Sequence, residues 1–319
     1  MKTLKLGMVG GGQGAFIGGV HRMASRLDGR GELVAGALSS HPARAEASAK
    51  ELGLDPKRSY QSYAEMAVQE AARADGIDAV AIVTPNHMHA GPAIAFLEAG
   101  IHVICDKPLA ATSEQAQLID AAVRASKAHF IFTHNYTGYP VIRQARKLVE
   151  NGELGEIRVI QAEYAQDWLS QAADNKQADW RVNPEKSGAG AIGDIGTHAL
   201  NLASFVSGLQ PQALCADLHS FVDGRRVDDN AHIMLRFEKG AKGMLWASQV
   251  AVGCENTLTI RIYGEKAGLE WQQENPNQLS FTRFGQAKQL LTRGGAGFGE
   301  TAGDWTRIPP GHPEGYLEG

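Results

Sequence analysis

The stretch Leu6-Gly7-Met8-Val9-Gly10-Gly11-Gly12-Gln13-Gly14-Ala15 decides the fold. A short apolar run that breaks into glycines reads as a buried strand entering a tight turn, and Gly10, Gly12 and Ala15 fit a GxGxxA pattern. Glycine admits the turn and lets backbone N–H groups approach a pyrophosphate, whose charge then sits at a helix N-terminus. Ordinary glycine-rich turns match the same pattern. Here it follows a strand and opens a β-α-β unit, the context that a dinucleotide site requires. Gly10, Gly12, Gln13, Gly14 and Ala15 are the candidate pyrophosphate contacts.

Outward from this loop, residues 1–133 alternate β-branched runs with helical patterns. Strands are predicted at Leu4–Val9, Leu33–Leu38, Ala79–Val83, Ile101–Cys105 and Phe130–Thr133, with helices between them. Ser62 with Glu65 and Thr112 with Gln115 have capping-box spacing, and Pro92 suits a first helical turn. The alternation predicts an α/β fold with a doubly wound parallel sheet, a Rossmann domain over 1–133.

An NAD site has a carboxylate at the end of the second strand to bond the ribose hydroxyls. This chain reads Ala37-Leu38-Ser39-Ser40-His41-Pro42-Ala43-Arg44 instead. Two hydroxyls and a guanidinium suit a 2′-phosphate, so the cofactor is read as NAD(P), with NADP favoured over NAD and Ser39, Ser40 and Arg44 as its contacts. The alternative is that Arg44 is a solvated helix residue.

Two further segments end strands at the carboxyl edge of the sheet, where ligands bind in open α/β folds: Thr84-Pro85-Asn86-His87-Met88-His89 and Cys105-Asp106-Lys107-Pro108. Thr84, Pro85, Asn86, His89, Asp106 and Lys107 are the cofactor-facing candidates. His87 and His89 have no cysteine or paired carboxylate nearby, so no metal site is read from them. Lys107, directly after a buried strand and before a proline, has restricted backbone freedom and is held at the cleft. Without those neighbours it would read as a surface lysine.

After His134 the pattern changes. A helix is predicted over Pro140–Glu150 with its C-cap at Asn151-Gly152, then a strand over Ile157–Tyr164. A polar stretch from Gln166 to Gly193 shows little periodicity. A helix beginning near Asp194 is followed by strands at 213–221, 230–237, 242–250, 257–263, 268–272 and 278–284, a large, mostly antiparallel open sheet. The second domain, 134–319, is α+β. Asp194 and His198 stand four apart, on one face of a helix, and His198 in its first turn is kept neutral by the positive end of the dipole, as a general base requires. The plainer reading is a capping Asp194 and an unrelated core His198.

Composition narrows the function. The chain has 319 residues, 21% charged and 43% hydrophobic, with net charge −4. That is a folded protein of two domains or one large barrel, too acidic for a general nucleic-acid binder. Cys105, Cys215 and Cys254 form no CxxC pair, so no disulfide framework is indicated and the expected location is the reducing cytoplasm. No stretch approaches the roughly 18 apolar residues of a membrane span. The expected partner is a small molecule, with neither nucleic acid nor membrane.

Taken together, the glycine loop, the TPNxxH stretch Thr84–His89, the EKP-like Asp106-Lys107-Pro108 and the DxxxH pair Asp194/His198 resemble the glucose-fructose oxidoreductase/inositol dehydrogenase family, Gfo/Idh/MocA, along nearly the whole chain. The resemblance implies a Rossmann domain, a C-terminal open-sheet domain that commonly forms homodimers or homotetramers, and a substrate cleft between them. It implies that Lys107 and His198 flank the reacting carbinol and that Asp194 positions substrate hydroxyls and the histidine. The implied reaction is NAD(P)-dependent oxidation of a secondary alcohol on a sugar, inositol or related polyol, or the reverse. Asn135, Tyr136, Trp168, Trp180 and Arg181 are candidate substrate-wall residues, each with a structural alternative.

Two departures stand out: the loop before His21 is about three residues longer than the family's GxGxxGxxH, and Asp106 replaces the usual glutamate. Alternative functions are an NAD-dependent glycosidase of the same family and a non-catalytic nucleotide-binding sensor. Family members carry a further helical segment after the sheet, and Gly311–Gly319 reads like a helix starting at Pro313, so the expectation is that C-terminal sequence is missing.

Overall fold

β1 (Leu4–Gly10), β2 (Gly31–Ala37), β3 (Ala79–Val83), β4 (His102–Cys105) and β5 (Phe130–Phe132) pair in parallel in the order β2-β1-β3-β4-β5. Helices α1 (Phe16–Leu27), α2 (Pro42–Glu51), α3 (Tyr63–Ala72), α4 (Ala90–Glu98) and α5 (Ser113–Ala125) alternate with them. This computed structural model describes residues 3–172, 175–299 and 305–319. Contacts divide the chain into Met1–Thr133 with Glu185–Gly188, and His134–Pro184 with Ala189–Gly319.

In the first unit the all-apolar β3 is buried along its length, as a central parallel strand must be. The N-caps form, Ser62 Oγ accepting from Glu65 N at 3.1 Å and Thr112 Oγ1 from Gln115 N at 3.3 Å, while the return bonds of Glu65 and Gln115 go to Gln61 N and Ala111 N, one residue before each cap. The strand order reverses between β1 and β3, where Gly10 stands opposite Val83. Open α/β sheets bind ligands at such a reversal.

The second unit contains α6 (Pro140–Glu150), β6 (Ile157–Ala165), α7 (Lys176–Arg181) and, after the short α8 (Pro184–Ser187), the helix α9 (Thr197–Ser207). Seven strands follow: β7 (Pro211–His219), β8 (Asn230–Phe237), β9 (Lys242–Ser248), β10 (Thr257–Gly264), β11 (Ala267–Gln272), β12 (Gln278–Arg283) and β13 (Gln289–Thr292). With β6 they form one sheet in the order β13-β12-β11-β10-β6-β9-β8-β7, antiparallel except for the β6/β9 pair.

Strand alternation gives this sheet two unlike faces. Along β8, Ile233, Leu235 and Phe237 are buried while His232, Met234 and Arg236 are exposed. The inner face, with Ile160, Leu245, Ile260 and Trp271, packs against α9, and Val141, Ile142 and Ala145 of α6 join the same core. Each such buried aliphatic side chain contributes about 1.5–3 kcal/mol.

The sequence readings differ from the structure in places. β13 was not predicted, and the polar stretch contains two short helices, α7 and α8. Residues 311–319 form turns rather than the helix suggested by Pro313. The helix expected near Asp194 begins with a π turn, Ile192–Gly196. No described helix is long and apolar enough to cross a membrane.

Candidate active site

In the first unit, the loop after β1 has the backbone that the glycines imply. Gly10, Gly11 and Gly14 take φ of 81°, 73° and 73°, which side chains disfavour. A Cβ on Gly12 would lie 2.7 Å from both the Leu38 carbonyl oxygen and Ser48 Oγ. The backbone N–H groups of Gly12, Gln13 and Ala15 donate to Leu38 O, Ser48 Oγ and Gly12 O at 3.3, 3.0 and 3.0 Å. These three residues therefore shape the turn. α1 opens without a side-chain cap at Ala15 and without an acidic residue in its first turn, so its leading N–H groups are suited to an anion. Thr84 Oγ1, at the end of β3, is buried with no hydrogen-bond partner, and a Cβ on Gly10 would come 2.9 Å from Thr84 Cγ2. A turn packed too closely for a Cβ at Gly10, Gly11 or Gly12, an uncapped helix end and an orphaned hydroxyl fit a dinucleotide.

The third small residue of the motif is Gly18, which sequence reasoning missed. Its Cβ would stand 2.5 Å from Gly11 Cα, so α1 crosses the loop at a distance only glycine allows. The longer loop moves this close approach three residues beyond Ala15. Arg22 Nη1 donates to Gly11 O at 2.8 Å and holds the turn from one helical turn further on. Beyond β2, Ser40 and Arg44 are exposed, while Ser39 Oγ accepts from His41 N at 3.1 Å.

At the carboxyl ends of β3 and β4, Pro85 starts a 3-10 turn whose Asn86 is buried and donates from Nδ2 to Ser187 O at 2.8 Å. Asp106 N donates to Ile82 O at 3.0 Å, and its Oδ1 accepts from Thr133 Oγ1 at 2.8 Å, placing Lys107 immediately beyond three adjacent strands. His89 is 1% exposed, and its Nδ1 and Nε2 each lie 2.9 Å from a carbonyl oxygen, of Pro108 and Thr84. The ring therefore clamps the two loops together from beneath. Burial pushes its pKa down, against the opposing pull of the Thr84 carbonyl and the Asp106 charge.

The DxxxH segment belongs to the second unit. The Asp228 carboxylate accepts from Gly190 N at 2.8 Å and Ile192 N at 2.7 Å, capping the helical stretch that runs from Ala191 through the π turn into α9. Asp194 is thus inside the helix and Asp228 is its cap. His198, likewise, stands beyond the first turn, where the terminal dipole has fallen off, which removes the dipole argument for its neutrality. Asp194 Oδ2 accepts from Gln249 Nε2 at 2.9 Å and pairs with Arg181 Nε at 3.1 Å. His198 is buried, with the rings of Tyr136, His134 and Tyr164 at 4.8, 5.4 and 6.0 Å between centroids.

The proposed wall residues fall into three kinds. Tyr136 is buried and packs on His198. Arg181 lies over Trp180 at 4.3 Å and Trp168 at 5.9 Å while paired with Asp194. Asn135, on the turn before α6, has a buried Nδ2 without a hydrogen-bond partner. Ser48, Asp228, Gln249, Tyr164 and Asn256 were missed, because nothing local distinguishes them from other polar residues.

The family model for NAD-binding Rossmann oxidoreductases matches residues 4–136, and that for the GFO/IDH/MocA C-terminal domain matches residues 142–270. Levoglucosan dehydrogenase of Pseudarthrobacter phenanthrenivorans is 31% identical over 88% of this chain and 76% of its own. The chain belongs to the Gfo/Idh/MocA family. Among solved structures, an oxidoreductase from Sinorhizobium meliloti is 56% identical with a TM-score of 0.93, over 100% of this chain and 85% of that one. An inositol dehydrogenase homolog from Azotobacter vinelandii, solved with NADH and myo-inositol, is 39% identical with a TM-score of 0.93, over 99% and 83%. As a Gfo/Idh/MocA member the protein is an oxidoreductase whose first unit is an NAD-binding Rossmann domain.

Proposed function

We propose that the protein interconverts a secondary alcohol and a ketone on a sugar, inositol or related polyol, using NAD(P). The observation that carries this reading is the Asp194/His198 segment: a carboxylate oriented by a guanidinium and a carboxamide, four residues from an imidazole walled by tyrosines. The levoglucosan dehydrogenase and the myo-inositol-bound homolog among its relatives support the substrate class.

A bound nicotinamide supplies the hydride acceptor or donor. His198 removes the hydroxyl proton, general-base work that accelerates such a step by about 10²–10⁴-fold. Lys107 donates a hydrogen bond to the same oxygen and stabilises the developing alkoxide. Asp194 orients the substrate and the imidazole, while Asn135, Trp168 and Trp180 line the sugar. The segment up to residue 133 holds the cofactor and 134–319 holds the substrate.

Ser39, Ser40 and Arg44 favour NADP, because no carboxylate follows β2 to repel a 2′-phosphate. Arg44→Ala is expected to weaken NADP about 10- to 100-fold, the loss of one charge-assisted contact, while sparing NAD. An unchanged NADP dissociation constant overturns that preference.

Further copies of the chain are its proposed partners: Val159, Tyr263, Met244 and Met234 are exposed on the outer face of the large sheet, suited to a dimer or tetramer. Three free cysteines support a cytoplasmic setting.

The test is a panel of sugars, anhydrosugars and inositols with NAD and NADP, following reduced nicotinamide. On the substrate found, Lys107→Ala and His198→Ala are each expected to lower turnover at least about 100-fold with cofactor affinity retained. Full turnover in both variants, or an inert panel despite cofactor binding, overturns the reading.

A further inference from the structure

The tyrosines that wall His198 are themselves held from behind. Tyr164 donates its hydroxyl proton to Asn256 Oδ1 at 2.7 Å, so the 2.6 Å contact between the two hydroxyls has Tyr136 as the donor. Asn256 Nδ2 in turn reaches Tyr136 Oη at 3.5 Å and closes a small cycle, which sets the orientation of the carboxamide. Gln166 Nε2 also donates to Asn256 Oδ1, at 2.7 Å, and Gln166 Oε1 accepts from Trp168 Nε1 at 3.0 Å. One carboxamide oxygen therefore joins the buried tyrosine pair to an indole that is 38% exposed.

On the opposite side, the same indole lies under Arg181, the partner of Asp194. Both arms of the DxxxH pair thus lead to Trp168. Burial, with the neighbouring Tyr136 and Asp194, pushes the Tyr164 phenol well above its ordinary range, so it stays a donor.

We propose that Asn256 is a positioning residue for the reaction: its Oδ1 ties the tyrosine wall of His198 to Trp168, so that the imidazole's orientation and the indole's place in the sugar wall are set together. This rests on the polyol dehydrogenase reading. Asn256 contacts neither His198 nor a reacting atom in this scheme and acts through the tyrosines.

The experiment compares Asn256→Leu, which removes the acceptor, with Asn256→Asp, which keeps an acceptor oxygen at the same place. Asn256→Leu is expected to lower kcat between about tenfold and about a hundredfold, the usual effect of misplacing a reacting group by a fraction of an ångström or more, with NADH affinity unchanged. Asn256→Asp is expected to recover most of that loss. Trp168 emission, isolated as the difference from the matching Trp168→Phe background, is expected to shift to the red in Asn256→Leu as the indole N–H loses its anchored partner to water.

Wild-type kcat with unmoved emission in Asn256→Leu overturns the proposal, as does an Asp variant no better than Leu. If Asn256→Leu fails to fold, Gln166→Leu decides: it breaks the link nearer the surface, and the same red shift with a raised KM supports the link, while no shift overturns it. The emission arm needs no substrate, so an inert wild-type enzyme overturns the function proposed above and leaves this link to be judged by fluorescence.

Discussion

Arg181 Nε lies 3.1 Å from Asp194 Oδ2, the same oxygen that accepts from Gln249 Nε2 at 2.9 Å. Both donors converge on one oxygen, which locks the carboxylate's rotation. The Arg181 and Asp194 side chains are 21% and 13% exposed, so the pair is only partly screened by water. Removing Arg181 takes a guanidinium away from a largely buried carboxylate. Arg181→Ala should lower kcat/KM about 10- to 100-fold and destabilise the second unit by about 1–3 kcal/mol, with Arg181→Lys intermediate because it lacks the planar fork. Steady-state kinetics and urea unfolding measure both.

Asp228 carries no charge to the chemistry, yet it caps the helix on which Asp194 and His198 stand. Asp228→Ala leaves the Gly190 and Ile192 N–H groups without their acceptor. The expected cost is about 1–2 kcal/mol, seen as a lower thermal midpoint, together with a fall in kcat. NADH binding should persist, since the NAD-binding Rossmann domain is the other unit; a joint loss would show that the variant had unfolded globally.

Gly18 and Gly19 are neighbours in α1 with opposite expectations. An alanine Cβ at 18 meets Gly11 Cα at 2.5 Å, a backbone atom that cannot yield. At 19 the nearest atom is Arg22 Nη2 at 3.8 Å, ordinary contact with a flexible tip. Gly18→Ala should cost about 1–3 kcal/mol and weaken NADH binding, whereas Gly19→Ala should be neutral or stabilising by up to about 1 kcal/mol. Isothermal titration and thermal melts of the two variants distinguish them.

His89 gives the first unit a pH dependence with a definite sign. Burial, the largest influence, holds its folded pKa below the unfolded value of about 6.5. Between the two values the unfolded chain takes up a proton that the folded protein refuses. The stability that His89 contributes is therefore complete above about pH 6.5 and declines as pH falls toward the folded pKa, by at most about 1.4 kcal/mol per pH unit. Urea midpoints measured from about pH 7.5 down to about pH 5 should fall less steeply in His89→Gln than in the wild type. Equal slopes would remove His89 from the account.

The local features of this protein were legible in its residues. Val9 to Ala15 carries the strand, the turn and the helix start within a few residues, and Ser62 and Thr112 cap the helices that they precede in the chain. The alternation of β8 marks its buried face. Such signals survive in one dimension because period and capping join residues at most a few positions apart.

What the tertiary structure alone decided is which distant polar groups meet. Gln249 reaches Asp194 across 55 positions, Tyr164 reaches Asn256 across 92, and Asp228 caps a helix that begins 36 to 38 residues before it. Hydrophobic patterning assigns a face to each strand, and it is silent about which carboxamide or carboxylate lands beside which phenol or guanidinium. The sequence by itself determined the Rossmann unit, the open sheet and the residue types of the site. Sheet register and the π turn before α9 determined their orientation, because directional hydrogen bonds over long chain separations exist only once the strands have paired.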